Sequence, residues 1–146
     1  MSYKTSISKT EFITLAHFRY QLRCFLRFSE EAAKGENITS LQYQLMLQIK
    51  GVPKRRWALI GELAERLQMA PHGVVALVSR CERDGLVARV ADKVDRRQVR
   101  VFLTDAGARA VRRIALLHKD ELASLSALVR AMQFSRSAET RREPPA

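Results

Sequence analysis

Apolar residues recur at every third or fourth position in two long segments near opposite ends of the chain. This spacing places them on one helical face, so residues 11–34 and 104–134 each predict a long amphipathic helix. Lys34-Gly35 marks the end of the first helix, and Asp120-Glu121 interrupts the apolar stripe of the second. The residues on the two stripes are Phe12, Leu15, Phe18, Leu22, Phe25, Leu26, Val111, Ile114, Leu117, Leu125, Leu128 and Met132.

The middle of the chain has the signals of three shorter helices. Thr39 and Gln42 match a capping box at the start of the first, which we expect to end at Lys50-Gly51, just before a proline. Residues 60–68 and 71–85 predict two further helices, the second ending at a glycine. Because only about three residues separate these two helices, they are typical of a helix-turn-helix.

Residues 86–103 predict a β-hairpin. In the run 99–103, alternate side chains fall on opposite faces, as a strand requires, and the turn before it carries Asp95, Arg96 and Arg97. A hairpin alone is only marginally stable in water, so this one must pack against the helix pair. The predicted fold class is therefore mostly α with a small β-hairpin (α+β), a winged helix-turn-helix between two long terminal helices.

The terminal helices have more apolar surface than the middle of the chain can cover, and a two-fold homodimer would bury the excess. We therefore expect an N-terminal dimerisation helix in residues 1–36 and the winged helix-turn-helix in residues 37–104. C-terminal dimerisation helices would occupy residues 105–134. The polar, proline-ended tail in residues 135–146 is expected to be disordered.

Charge indicates the class of partner. The 146 residues include 26 Lys and Arg against 15 Asp and Glu, a net charge of +11, which attracts polyanions and makes nucleic acid the first candidate. The longest uncharged runs, 37–49 and 67–79, are too short to span a membrane, so no membrane partner is expected. Without an apolar signal core or a disulfide framework, the chain is expected in the cytoplasm, associated with the nucleoid.

The second helix of the pair separates into two faces. Its apolar residues cluster within about 80° of a helical wheel, which leaves the opposite face to enter the major groove of DNA. Arg80, Arg83 and the basic loop Lys54-Arg55-Arg56 are candidates for phosphate contacts. The candidate groove residues of this helix are His72, Gly73, Val75, Ala76 and Ser79.

The hairpin tip supplies a second candidate contact with DNA. Arg96 and Arg97 could enter a minor groove, where a narrow A·T tract concentrates negative potential. Asp95 would be repelled by phosphates, and we expect it to pair with an arginine and fix the direction of that side chain. The alternative is that Asp95, Arg96 and Arg97 only form a solvated turn.

Four successive segments resemble the MarR family of bacterial transcription regulators. They are "SLQYQLML", "IGELAERLQ", "SRCERDGLVAR" and "DRRQVRVFLTDAG", and the resemblance runs from about Ile38 to Gly107 in order, with the flanking helices matching the dimerisation region of the family. It implies a homodimeric winged-helix regulator, more often a repressor than an activator, that binds pseudo-palindromic DNA and commonly releases it when a small-molecule effector binds. It also implies that Arg97 is the minor-groove contact and Asp95 its orienting partner.

The chain departs from the family pattern at the start of the second helix of the helix-turn-helix. This helix, whose outer face is expected to enter the major groove, is called the reading helix below. Family members often have Ser or Thr where this chain has Ala70, His72 and Gly73, and the loss of a side-chain cap at Ala70 costs about 1 kcal/mol. A polar or basic residue is also usual where Ala76 stands. The bases that the helix reads therefore stay open.

Aromatic residues at helical spacing usually belong to the core of a protein. Five of them could instead line a ligand cavity between the long helices and the winged helix-turn-helix. They are His17, Phe18, Phe28, Tyr43 and Trp57. Cys24 could act as a redox sensor, but burial as an inert side chain is the simpler interpretation, and Cys81 has the position of a core residue. The three histidines have no metal-ligand spacing with either cysteine, so no metal site is expected.

The sequence has no phosphate-binding glycine loop, no nucleophile elbow and no paired carboxylates on one helix face, so we expect neither an enzyme nor a cofactor. The leading hypothesis is a sequence-specific regulator that binds double-stranded DNA. Two alternatives are a basic winged-helix module that binds RNA or a protein partner, and a thiol-based regulator that uses Cys24.

Overall fold

The computed structural model describes residues 6–140, and the side chains of all of these except Leu128 and residues 131–140. Six α-helices and three β-strands follow one another along this described part of the chain. They are α1 (Lys9–Gly35), α2 (Ser40–Lys50), β1 (Trp57–Leu59), α3 (Ile60–Leu67), α4 (Pro71–Arg83), β2 (Val87–Ala91), β3 (Val99–Leu103), α5 (Asp105–Leu117) and α6 (Lys119–Thr140). The order confirms the predicted α+β winged helix-turn-helix.

The residues group into two compact units. Ser29–Leu116 forms the winged-helix unit, and the second unit combines the chain up to Phe28 with the chain from Leu117 onward. The winged-helix unit is wider than the predicted range of 37–104, because the last turns of α1 and most of α5 belong to it. Its core explains this, since Ala33 from α1 and Val111 from α5 are buried in it.

Helix α2 begins and ends where the sequence predicted. The Gln42 amide N–H donates to Thr39 Oγ1 at 3.1 Å, and the Thr39 N–H donates to Gln42 Oε1 at 3.0 Å, which completes the capping box. Gln42 Nε2 also donates to Asp84 Oδ2 at 2.8 Å. The capping side chain therefore also ties the start of α2 to the residue that follows α4.

The helix-turn-helix is confirmed, with three residues between α3 and α4. Gln68 ends α3 in the left-handed region at φ 51°, and Ala70 precedes α4 without a side-chain cap, as its methyl group dictates. Pro71 occupies the first turn of α4. After α4, Gly85 has φ +74° and the Leu86 N–H donates to Cys81 O at 2.9 Å, which is the glycine stop that the sequence predicted.

The sheet has three strands, in the order β1-β3-β2, and all neighbours are antiparallel. The β2–β3 hairpin was predicted, and its register pairs Val87 with Leu103 and Ala91 with Val99. The sequence did not predict strand β1, which extends this hairpin to a three-stranded sheet. Trp57 pairs with Phe102, and Leu59 pairs with Arg100. The wing therefore receives support from a third strand as well as from the helices.

The core of the winged-helix unit draws on α2, α3, α4, β3 and α5. Its largest fully buried side chains are Leu45, Met46, Ile49, Leu63, Leu77, Ile114, Val74, Val78, Val101 and Cys81. Backbones also approach closely at Gly107 in α5, where a Cβ atom would lie 2.1 Å from the carbonyl oxygen of Leu86. Only glycine permits this approach.

The predicted long C-terminal helix is divided between α5 and α6 at His118, two residues before the expected interruption. Helix α6 continues to Thr140, beyond the end expected near Phe134, so residues 135–140 of the tail are helical rather than disordered. Residues 141–146 of that tail lie outside the described residues.

Within residues 6–140, every helix is too short or too polar to cross a membrane.

Candidate nucleic-acid interface

Helix α4 presents the two faces that the sequence predicted. Val74, Leu77, Val78 and Cys81 are all buried to at least 99%, which fixes the rotation of the helix on the core. On the rest of the helix, six of the candidate residues are exposed and the seventh, Gly73, is half-buried. The exposed residues are His72, Val75, Ala76, Ser79, Arg80 and Arg83. All seven residues singled out on this helix therefore lie on its outer side.

The wing is attached to the end of α4 by an ion pair that the sequence did not reveal. Arg89 on β2 donates from its backbone N–H to Glu82 Oε2 at 3.2 Å and from Nη2 to Glu82 Oε1 at 3.0 Å. The side-chain and backbone hydrogen bonds from Arg89 lower the pKa of Glu82. Glu82 thus holds strand β2 against the reading helix, and its charge is balanced at the surface where a polyanion would bind.

Asp92 organises the wing loop between β2 and β3. Its Oδ2 accepts the amide N–H of Val94 at 3.2 Å and of Asp95 at 2.9 Å, and its Oδ1 accepts Arg100 Nε. The amide of Asp95, followed by the guanidinium of Arg100, holds the pKa of Asp92 below its ordinary value. Only 8% of the Asp92 side chain is exposed, so this carboxylate is a structural anchor of the loop.

At the tip of the wing, Asp95 pairs with Arg97. Asp95 Oδ1 accepts both the backbone N–H of Arg97 at 3.1 Å and its Nε at 3.2 Å. The rest of the Arg97 side chain projects outward, with 92% of it exposed. Arg96 beside it is also exposed. Arg97 is therefore the arginine that pairs with Asp95, and its contact with DNA stays a prediction.

The basic loop before β1 differs from the expectation at one position. Arg55 pairs with Glu62 on α3, and its guanidinium carbon lies 4.2 Å from the centre of the Trp57 ring. Lys54 and Arg56 are exposed. Because Arg55 is half-buried and paired with Glu62, Lys54 and Arg56 are the better candidates for phosphate contact in this loop.

Segment 70–100 has seven cationic and four acidic residues. The structure gives each acidic side chain a donor: Arg89 for Glu82, Gln42 for Asp84, Arg100 for Asp92 and Arg97 for Asp95. Arg80, Lys93 and Arg96 are exposed and do not belong to these four pairs. The balance leaves a basic surface along α4 and the wing, which suits a polyanion.

The five residues predicted to line a ligand cavity are divided between the two units. His17, Phe18 and Phe28 lie on α1, where the Phe28 ring meets the buried His118 edge-on at 5.2 Å. In the winged-helix unit, Tyr43 is buried, which raises its pKa, and Trp57 lies under two guanidinium groups. Their role as a ligand pocket stays a prediction.

The two cysteines have different environments. Cys24 on α1 is exposed, and its hydrogen bond with Tyr20 raises the pKa of the tyrosine. Cys81 is fully buried in α4, and burial, reinforced by the charge of Asp84, raises the pKa of its thiol to about 11. The core position of Cys81 is confirmed, whereas the exposure of Cys24 contradicts the interpretation of that residue as buried.

Comparison with known proteins identifies the family. Residues 36–98 match the MarR family model. The chain is 30% identical over 102 residues to the transcriptional activatory protein BadR of Rhodopseudomonas palustris, an alignment that covers 68% of this chain and 58% of BadR. The chain belongs to the MarR family. It is also 30% identical over 77 residues to the HTH-type transcriptional repressor MdtR of Bacillus subtilis, covering 53% of this chain and 48% of MdtR. The chain therefore spans only about half the length of these curated relatives.

Solved structures of MarR-family proteins share the fold. Sco3205 of Streptomyces coelicolor, crystallised in complex with DNA, superimposes with a TM-score of 0.70 at 20% identity, covering 97% of this chain and 95% of that one. A mutant MarR of E. coli complexed with operator DNA gives 0.68 at 21% identity, covering 91% and 98%. AbsC, also from S. coelicolor, gives 0.70 at 16% identity, covering 95% and 94%.

Proposed function

We propose that this MarR-family protein is a transcription regulator that binds double-stranded DNA through α4 and the wing. The observation that carries the proposal is the Asp95–Arg97 pair, which aims an exposed guanidinium outward from a basic surface whose acidic side chains are all matched. An α-helix fits the major groove, and an arginine at a hairpin tip fits the minor groove. Two proteins of the same fold, crystallised with DNA, support this mode.

The protein acts as a homodimer on a pseudo-palindromic operator. Helices α1 and α6 expose large apolar side chains that water does not favour, among them Phe12, Ile13, Leu26 and Leu122. A two-fold dimer buries such a surface and presents two reading helices about 34 Å apart, one turn of DNA.

Selection of bound duplexes from a random pool tests both statements together. We expect a palindrome with half-sites about one turn apart, and the recovered duplex is the selected operator used below. Recovery of no preferred sequence would contradict the proposal. Equal binding of RNA under competition would favour the alternative, a basic module for RNA.

We propose repression as the outcome of binding, because a dimer that covers a turn of promoter DNA excludes polymerase from it. The relatives include both an activatory protein and a repressor, so the direction needs its own test. Transcription in vitro from a promoter that contains the selected operator should fall as the protein is added. A rise would make the protein an activator.

A response to a small effector is part of the proposal. A cavity of about 410 Å³ in the winged-helix unit is lined by the cationic Lys50, Arg55 and Arg56 together with Phe102 and Leu103. Asp105 also lines the cavity, and three cations against this one carboxylate, beside two large apolar side chains, suit an organic carboxylate. Benzoate is therefore a suitable first probe, and it should weaken binding to the selected operator if this cavity controls the wing.

A further inference from the structure

The Trp57 ring is the meeting point of two ion pairs from different parts of the winged-helix unit. In the first ion pair, Arg100 Nε donates to Asp92, and the guanidinium carbon of Arg100 lies 4.0 Å from the ring centre. In the second ion pair, Arg55 pairs with Glu62, and the guanidinium carbon of Arg55 lies 4.2 Å from the same ring centre. A guanidinium over an indole face is attracted by the ring quadrupole, and tryptophan is the best aromatic for this contact.

The first ion pair leads to the wing tip. Asp92 accepts the amide of Asp95, and the carboxylate of Asp95 accepts Arg97. An unbroken series of contacts thus runs from the Trp57 ring through Arg100 and Asp92 to the exposed arginine.

The second ion pair leads to the helix-turn-helix. Glu62 Oε1 accepts the backbone N–H of Leu59 at 3.2 Å, at the junction of β1 and α3, while its Oε2 accepts Arg55. The Trp57 ring therefore contacts the arginine that pairs with Asp92 in the wing loop and the arginine that pairs with Glu62 at the start of α3. Backbone pairing of Trp57 with Phe102 holds the ring on the sheet from which the wing projects.

We propose that Trp57 is a positioning residue that fixes the wing relative to the helix-turn-helix, so that Arg97 is delivered to the minor groove in one direction. Trp57 itself does not contact DNA in this arrangement, because it acts through Arg100 and Asp92. The inference rests on the proposed function for its effect on DNA. The structural part of the inference, that Trp57 orders the wing loop, depends only on the contacts of the ring with Arg100 and Arg55. It is called the mechanical part below.

Limited proteolysis of the full chain tests the mechanical part without DNA. Trypsin can cut the wing loop after Lys93, Arg96 and Arg97, and Arg112 in α5 provides an internal reference. Trp57→Leu removes both ring contacts and should raise wing-loop cleavage relative to the reference about fivefold, the factor expected from one to two cation–π contacts. Trp57→Phe keeps a weaker aromatic face, so its wing-loop cleavage should lie between that of the wild type and that of Trp57→Leu.

Phe102→Leu is the matched control, an aromatic-to-leucine change at the paired position on β3. It leaves both guanidinium contacts of the Trp57 ring in place, so its wing-loop cleavage should rise less than that of Trp57→Leu. Unchanged cleavage in Trp57→Leu would overturn the proposal, and so would an equal increase in Phe102→Leu, which would show only general loosening of the sheet.

A double-mutant cycle on the selected operator tests the effect on DNA. Trp57→Leu should weaken binding about fivefold in the wild-type background, yet add almost nothing in the Arg97→Ala background, because both changes remove the same contact. Independent effects would show that Trp57 does not act through Arg97. If wild-type protein selects no DNA, the proposed function fails, and proteolysis still decides whether Trp57 orders the wing.

Discussion

Arg97 Nε lies 3.2 Å from Asp95 Oδ1, while 92% of the Arg97 side chain stays exposed. The pair therefore limits the direction of the arginine without occupying its outer donors. An exposed ion pair adds only about 0–1 kcal/mol to stability, so its value lies in orientation. Two residues of a seven-residue loop can be tested separately for this role.

Arg97→Ala should weaken binding to the selected operator by about 1–3 kcal/mol, the usual cost of one groove contact, and leave the fold and the dimer intact. Fluorescence anisotropy of the duplex measures the change, and sedimentation checks the dimer. Arg112→Ala, an exposed arginine on α5, removes the same charge and is the control. Equal loss in both variants would reduce Arg97 to a general charge effect.

For Asp95→Ala, the direction of the change in affinity for the selected operator distinguishes two explanations. Removal of an acidic charge raises the net charge and, by electrostatics alone, should strengthen binding to a polyanion. If orientation of Arg97 dominates, binding should instead weaken about twofold to fivefold, the range of an exposed ion pair. Tighter binding in the anisotropy measurement would refute the orienting role.

Gly107→Ala should destabilise the protein by about 1–3 kcal/mol or more, because the new Cβ would meet the Leu86 carbonyl oxygen at 2.1 Å. Urea unfolding followed by circular dichroism measures the loss. Gly61→Ala on α3 is the matched control, since nothing lies within 4 Å of its Cβ position, and it should be neutral or stabilising by up to about 1 kcal/mol. Similar results for both would show that α5 can move away from Leu86.

Asp92 should make the stability of the winged-helix unit depend on pH in the acid range. Its folded pKa is depressed, so its contribution is complete above the unfolded pKa of about 3.9 and is lost as the pH falls through the folded value. Asp92→Asn should lower the free energy of unfolding at pH 7 and flatten its decline below about pH 4. Parallel pH profiles for wild type and variant would contradict this assignment.

The thiols should react at very different rates. Exposed Cys24 should react readily with an aromatic disulfide reagent at pH 8, whereas Cys81, buried and with a pKa of about 11, should react only after unfolding. Cys24→Ser should remove the fast phase. If peroxide abolishes DNA binding in the wild type but not in Cys24→Ser, the thiol-based alternative is supported, and loss in both would exclude Cys24 as the sensor.

The sequence by itself determined the features that depend on neighbours along the chain. The capping box of Thr39 and Gln42, the stop at Gly85, the buried face of α4 and the Asp95–Arg97 pair all involve residues a few positions apart, whose spacing fixes their geometry. Hence the winged helix-turn-helix and its outward-facing candidates could be predicted.

Tertiary structure alone decided what supports that surface. Strand β1 has three residues, too few for a periodic signal, and it exists because β3 pairs with it. Glu82 meets Arg89, Arg55 meets Glu62, and Trp57 meets Arg100 only when helices and sheet pack. Arg55 resembled its basic neighbours in the sequence, but packing holds it half-buried against Glu62 and the indole ring, which stabilise its charge.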